Sequence, residues 1–146
     1  MKIRKFGCLS KDEISELEKR FDLVLPEDYK KFLMENNGGV VEKDSSNRIY
    51  VKSLNDYIVL DVLYGYHVLE KNADIVCWMD EMPDDILEKT IIIGDDIRQG
   101  FIVMICEGED KGIYYWDDAY NFEQSDDEEN IYFLSDSFEK LIMKKI

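Results

Sequence analysis

The chain has 146 residues, 45% hydrophobic and 35% charged, a balance that predicts one soluble globular domain over residues 1–146 rather than a disordered chain. Asp and Glu number 33 against 18 Lys and Arg, a net charge of −15. That excess repels phosphate backbones, so direct nucleic-acid binding is not expected, whereas a basic protein surface would be attracted and steered.

The start, MKIRKFGCLS, has basic residues but no apolar stretch, which predicts no signal peptide. No run approaches the ~20 apolar residues of a membrane span, and a cytoplasmic protein is expected. Ser10 opens the first helix. Ser10 and Glu13 can form a capping box, and Leu9 with Ile14 a hydrophobic staple. Ile14, Leu17 and Phe21 then make one apolar face, while Lys11, Asp12, Glu16, Lys19 and Arg20 face water.

The second helix lies in Leu25–Gly39, LPEDYKKFLMENNGG. Pro26 suits the first turn, and Glu27 and Asp28 place negative charge at the positive end of the dipole. Tyr29, Phe32 and Leu33 form its apolar face, and Asn36-Asn37-Gly38-Gly39 stops it. Glu42–Arg48 reads as a polar loop and Ile49–Val51 as a short strand. Tyr57–Tyr64 is β-branched and apolar, a strand, followed by a turn or bulge at Gly65-Tyr66-His67. Asn72 or Asp74 caps a third helix with Ile75, Met79 and Met82 at helical spacing, and Pro83 ends it.

The remainder reads as strands Thr90–Ile93, Phe101–Cys106, Ile113–Asp117 and Ile131–Leu134, with Gly94-Asp95-Asp96 as a strand-ending turn and Glu107–Gly112 as a hairpin connection. A last helix begins near Ser135, with Asp136 and Glu139 as a box-like pair and Phe138, Leu141 and Ile142 as its buried face. Lys144 and Lys145 suit its C-terminal end. Helices, then a mostly antiparallel sheet, then a closing helix describe an α+β domain: a central sheet with an N-terminal helix pair and a C-terminal helix packed on it.

Catalytic signals are weak. His67 is the sole histidine, and neither a P-loop, a G-x-G-x-x-G nor a G-x-S-x-G pattern occurs. Its aromatic surroundings predict a partly buried imidazole. Cys8, Cys77 and Cys106 are far apart and fit neither a disulfide framework nor zinc spacing; Cys77 and Cys106, in apolar runs, are expected as core thiols. No cofactor, metal or catalytic residue is expected. The acids around residues 117–129 do not follow the EF-hand spacing.

A partner-binding surface is the better candidate. Strand alternation sets Tyr114 and Trp116 on one face and Tyr115 and Asp117 on the other. One face packs under helices; the other is either covered too or offers aromatics to a partner. From Asp117 to Glu129 there is no Lys or Arg. This stretch reads as a solvated loop, either a soluble insertion or an acidic arm for a basic partner. The candidate contact residues are Tyr114, Trp116, Asp117, Asp118 and Tyr120, with Asp126, Asp127, Glu128 and Glu129 in the loop.

LPEDYKKFLMENNGG, Ile93-Gly94-Asp95-Asp96, Gly100-Phe101-Ile102, Tyr115-Trp116-Asp117 and Asp136–Ile142 (DSFEKLI) occur in this order. Together they resemble the SUKH superfamily (SMI/KNR-type domains) over nearly the whole chain. Two departures stand out: Gly100 is followed directly by Phe101 where the family often has Asp, and the acidic loop is longer than usual. The resemblance implies an α+β fold with helices packed on one side of the sheet. It also implies a non-enzymatic immunity protein that binds and neutralises a cognate toxin, often a nuclease, with no catalytic residues to carry over. Leu25, Pro26, Tyr29, Phe32, Leu33, Gly38, Gly39, Ser137 and Phe138 are then structural. Fungal relatives suggest the alternative of a regulatory or scaffold module, and a small acid–base or metal hydrolase is a third reading.

Overall fold

A computed structural model describes residues 1–44, 46–81 and 87–143. Its elements run β1 (Ile3–Lys5), α1 (Lys11–Phe21), α2 (Glu27–Asn36), β2 (Gly39–Val41), β3 (Arg48–Val51), β4 (Asp56–Leu63), α3 (Ile75–Glu81), β5 (Thr90–Asp96), β6 (Phe101–Ile105), β7 (Gly112–Trp116), β8 (Ile131–Ser135) and α4 (Phe138–Met143). The sheet order is β1-β2-β4-β5-β6-β7-β8, with β3 paired to β4, and these strand pairings are antiparallel. The α+β expectation holds. No helix among the described residues is long and apolar enough to cross a membrane.

The caps of α1 form as its sequence dictates. The Ser10 hydroxyl accepts from the Glu13 N–H at 3.1 Å, and the Glu13 carboxylate accepts from the Ser10 N–H at 3.0 Å. Leu9 and Ile14 are both buried. In α2, Pro26 sits one residue ahead of the helix, at the cap position, with φ −60°. Asn37 ends α2 in the left-handed conformation, and its amide pairs both ways with the Tyr66 backbone, donating at 3.0 Å and accepting at 2.8 Å. Gly38 follows at φ +79°, where a Cβ would overlap the Leu63 and Tyr64 carbonyls. The Asn-Gly stop is therefore the joint between α2 and β4.

Two three-residue strands, β1 and β2, were not expected. They pair with each other, and β2 then pairs with β4. The segment after β1 also satisfies the end of α2, since the Gly7 N–H donates to the Asn36 carbonyl and the Leu9 N–H to that of Leu33.

Gly94-Asp95-Asp96 is a correction. These residues are the buried end of β5, paired to β4 and β6, and the turn comes after them. Gly94 is required by packing, as a Cβ there would stand 2.6 Å from the Val62 carbonyl oxygen. The last helix is also shifted. β8 reaches Ser135, α4 starts at Phe138, and Asp136 pairs with Lys140 at 3.0 Å instead of boxing with Glu139. The cap comes from elsewhere: Asp28 of α2 accepts from the Glu139 N–H at 2.9 Å, and Ser137 accepts from the Lys140 N–H. Asp74 caps α3 by accepting from the Val76 N–H at 2.9 Å, one of the two expected residues. Met82, Pro83, Lys144 and Lys145 lie outside the described residues.

The core has one closed sheet face. Ile102, Met104, Ile113, Tyr115, Tyr132 and Leu134 share it and are buried. Phe138 of α4 lies 4.9 Å from the Tyr29 ring and 4.8 Å from that of Phe32, which ties α4 to α2. On the opposite face, α3 packs Trp78 against Tyr64 at 5.9 Å and Phe101 at 5.0 Å.

Candidate partner-binding surface

The acidic loop is built on a buried carboxylate. Asp117, at the end of β7, is fully buried. It accepts from the N–H groups of Asn121 at 2.9 Å and Phe122 at 3.0 Å, and from the Ser125 hydroxyl at 2.6 Å. Asp117, one of the candidate contact residues, thus has its oxygens used within the chain. Phe122 is buried as well, edge-on to Tyr115 at 6.0 Å with the Arg98 guanidinium 5.0 Å over its ring. The Asn121 side chain donates to the Arg98 carbonyl, and that of Gln124 to the Leu54 carbonyl.

Asp96 fastens the neighbouring turn. Its fully buried carboxylate accepts from Arg98 N–H, Gly100 N–H and Tyr115 O–H at 3.0–3.1 Å, with the Arg98 guanidinium 3.3 Å away. Burial raises its pKa, and these donors oppose the rise. The β5–β6 turn, Tyr115 and the loop thus form one polar unit under the acids.

On that unit the acids are exposed. Asp126, Asp127, Glu128 and Glu129 all face water. Asp126 organises the tip by accepting from the Glu128 and Glu129 N–H groups, both at 2.8 Å, and those bonds lower its pKa. Tyr120, at φ +55° and 46% exposed, donates to Asp127 at 2.7 Å, which raises the phenol pKa. Asp118 is half-buried. The loop is solvated as expected, yet it is pinned through Asp117, Phe122 and Gln124.

The Tyr114–Trp116 face divides. Trp116 is only 8% exposed, packed on Phe101 at 5.6 Å, so for this residue the covered alternative holds and it is mainly a core side chain. Tyr114 is half-buried, its hydroxyl donating to the Asp110 carbonyl at 2.6 Å. The open residues of this face belong to β8: Phe133 is 54% exposed and Ile131 41%. Phe133 stands edge-on to Tyr114 at 5.6 Å. Sequence reasoning missed both. Their alternation with Tyr132 and Leu134 was visible, but all four are apolar, so nothing marked the open side.

Asp95 lies on the same side, buried beneath the aromatics, where it accepts from Tyr64 O–H at 2.7 Å and Val62 N–H at 3.1 Å. Burial pushes its pKa up to about 6, against its hydrogen bonds. A raised carboxyl pKa gives stability that is complete below the unfolded value near 3.8 and is lost as pH rises through about 6. Wild type is expected to lose up to about 3 kcal/mol from this group between pH 4 and pH 7. Asp95→Asn should remove that component. Urea melts of both proteins at pH 4.5 and 7.5 check it, and parallel pH profiles would count against a strained carboxylate.

His67 is exposed, in the left-handed conformation at φ +58° and with its ring tilted 35° against that of Tyr66 at 3.8 Å, so the partly buried imidazole is corrected. The turn leaving β4 swings it outward. Of the expected core thiols, Cys106 is buried, which pushes its pKa up to about 12, but Cys77 is half-exposed. Among the described residues no three His, Cys, Asp or Glu side chains gather as metal ligands. What the surface can do chemically is present charge and apolar contact to another macromolecule.

No curated protein matches the chain. The sequence model of the SMI1 / KNR4 family (SUKH-1) matches residues 8–144. That span takes in the Asn-Gly joint, the buried Asp95 and Asp96, the Tyr115-Trp116-Asp117 strand end and the Phe138 helix, and the chain belongs to the SMI1 / KNR4 family (SUKH-1).

Proposed function

We propose that the chain is a non-catalytic immunity protein that binds and neutralises a cognate toxin with a basic surface. Membership of the SMI1 / KNR4 family (SUKH-1) carries this reading, because immunity to polymorphic toxins is what the family resemblance implies for a bacterial member. The acidic loop supports it. Four exposed acids on a pinned tip, in a chain of net charge −15, favour encounter with a basic protein. A cytoplasmic location and the absence of catalysis belong to the same proposal.

The test is coexpression with the toxin encoded by the neighbouring gene, scored by growth. Protection is expected. A neighbour that is no toxin, with no protection against it, favours the regulatory or scaffold reading.

The loop sets the kinetics of that binding. Hydrated rim charges add little net affinity but raise the association rate. Replacing Asp126 and Asp127 by Asn, and Glu128 and Glu129 by Gln, keeps acceptors for the tip hydrogen bonds while removing charge. Association at low salt should slow by about tenfold and lose most of its salt dependence, with the melting curve unchanged. Stopped-flow mixing with the toxin reads both. Association as fast as wild type would make the loop a solvated insertion only.

A further inference from the structure

The open face of β7 and β8 has a defined shape. Phe133 and Ile131 are its exposed centre, Tyr114 supports Phe133 edge-on, and half-buried Ile105 of β6 extends the strip. The Phe133 ring covers Gly112, since a Cβ placed there would stand 3.4 Å from Cε1 of Phe133. The ring therefore rests on the sheet.

Acids close both ends of the strip. At the Gly112 end the β6–β7 hairpin exposes Glu107, Glu109 and Asp110, against Lys111 in the hairpin and Lys89, which stands 3.9 Å from Glu107. At the Ile131 end the chain enters directly from the exposed Glu128 and Glu129. The five residues of β8 between these ends span about 17 Å.

From this arrangement we infer that the β7–β8 face is the desolvated centre of the binding surface, and that its partner is a protein segment with an apolar middle and Lys or Arg at each end. This rests on the protein-binding reading above and names the chemistry of that partner. An apolar centre inside a charged rim is the anatomy of a protein interface. Phe133 and Ile131 offer the open apolar contact that buried Trp116, a candidate from the sequence, does not. A second copy of this chain fits poorly, because stacking two such strips sets acidic ends against acidic ends in either orientation.

The probe is a synthetic peptide with a Leu-Phe-Leu centre and a Lys pair at each end, beside a counterpart with Glu in place of Lys. Binding is followed by backbone amide shifts. The Lys peptide is expected to move amides of residues 112–116 and 131–135, and the Glu peptide none. Phe133→Ser with Ile131→Ser, both at exposed sites, should weaken binding by about tenfold or more. Glu107→Gln, Glu109→Gln and Asp110→Asn together should weaken it by about two- to fivefold at low salt, a difference that disappears at high salt.

Equal binding to wild type and to the Phe133/Ile131 variant, with both folded by their melting curves, would overturn the inference, as would the absence of localised shifts. A concentration-dependent dimer in sedimentation that the same variant abolishes would assign the strip to a second copy and overturn the basic partner. The growth assay separates the two levels. Protection by wild type and variant alike would remove the strip and leave the proposed function. Strip binding without protection would do the reverse.

Discussion

Phe138→Ala is expected to cost about 3–5 kcal/mol, a large share of the stability of a domain this size. The ring is 2% exposed and fills the angle between Tyr29 and Phe32, with centroids under 5 Å from both. Truncation leaves a cavity between aromatics that cannot readily collapse, because Tyr29 and Phe32 sit on a helix whose C-terminal end is tied to the segment after β1 and to the Tyr66 backbone. The effect spreads to α4. Six residues of helix do not hold in water alone, so α4 depends on Phe138, Leu141 and the Asp28 cap. Phe138→Leu should recover more than half of the loss, as it refills most of the volume. Urea melts with amide exchange over residues 138–143 test this. A melting midpoint unchanged in Phe138→Ala would mean that α4 is an appendage and not a closing element of the core.

The parts that were legible are those in which local chemistry and tertiary packing agree. Ser10 and Glu13 announce α1 because the capping box is complete within four residues. Asn36–Gly39 announces the end of α2 for the same reason. The runs TIII, FIVMI and IYY are strands because β-branched and aromatic residues leave little else. Where partners come from far along the chain, the reading fails in a consistent direction. Three-residue strands such as β1 have no period to detect and exist through pairing. Asp95 looks like a turn residue because its donors, Tyr64 and Val62, lie 31 and 33 positions away, while Asp96 does bond the following turn through Arg98 and Gly100 and only its Tyr115 bond, 19 positions away, is hidden from the sequence. The acidic stretch looks structureless because charge dominates its composition, while the Asp117 that pins its foot is followed by an identical residue, Asp118, and the partners of Phe122 and Gln124 lie elsewhere in the chain.

Asp117→Ala is the second large effect expected, about 2–4 kcal/mol, and it links stability to binding. The carboxylate accepts three hydrogen bonds at the foot of the loop, from Asn121 N–H, Phe122 N–H and Ser125 O–H. Charge-assisted bonds of this kind are about twice as strong as neutral ones. With the acceptor gone, the buried Phe122 N–H either stays unpaired at a cost of about 1–3 kcal/mol or the loop opens to water. Opening should win, because the loop has few other tertiary anchors and its acids are already hydrated. Phe122 then leaves Tyr115 and Arg98, and the tip loses its fixed place beside the β8 strip. The four acids of the tip keep their charge, so association with a basic partner should stay within about threefold of wild type. Dissociation should quicken by about tenfold, since the partner must order the loop that Asp117 now orders in advance. Asp117→Asn, which keeps one acceptor oxygen, should fall between. Amide exchange at Asn121 and Phe122 gives the direct reading. If those amides stay as protected in Asp117→Ala as in wild type and the melt does not move, the loop is held by Gln124 and its own turns, and Asp117 is not its anchor.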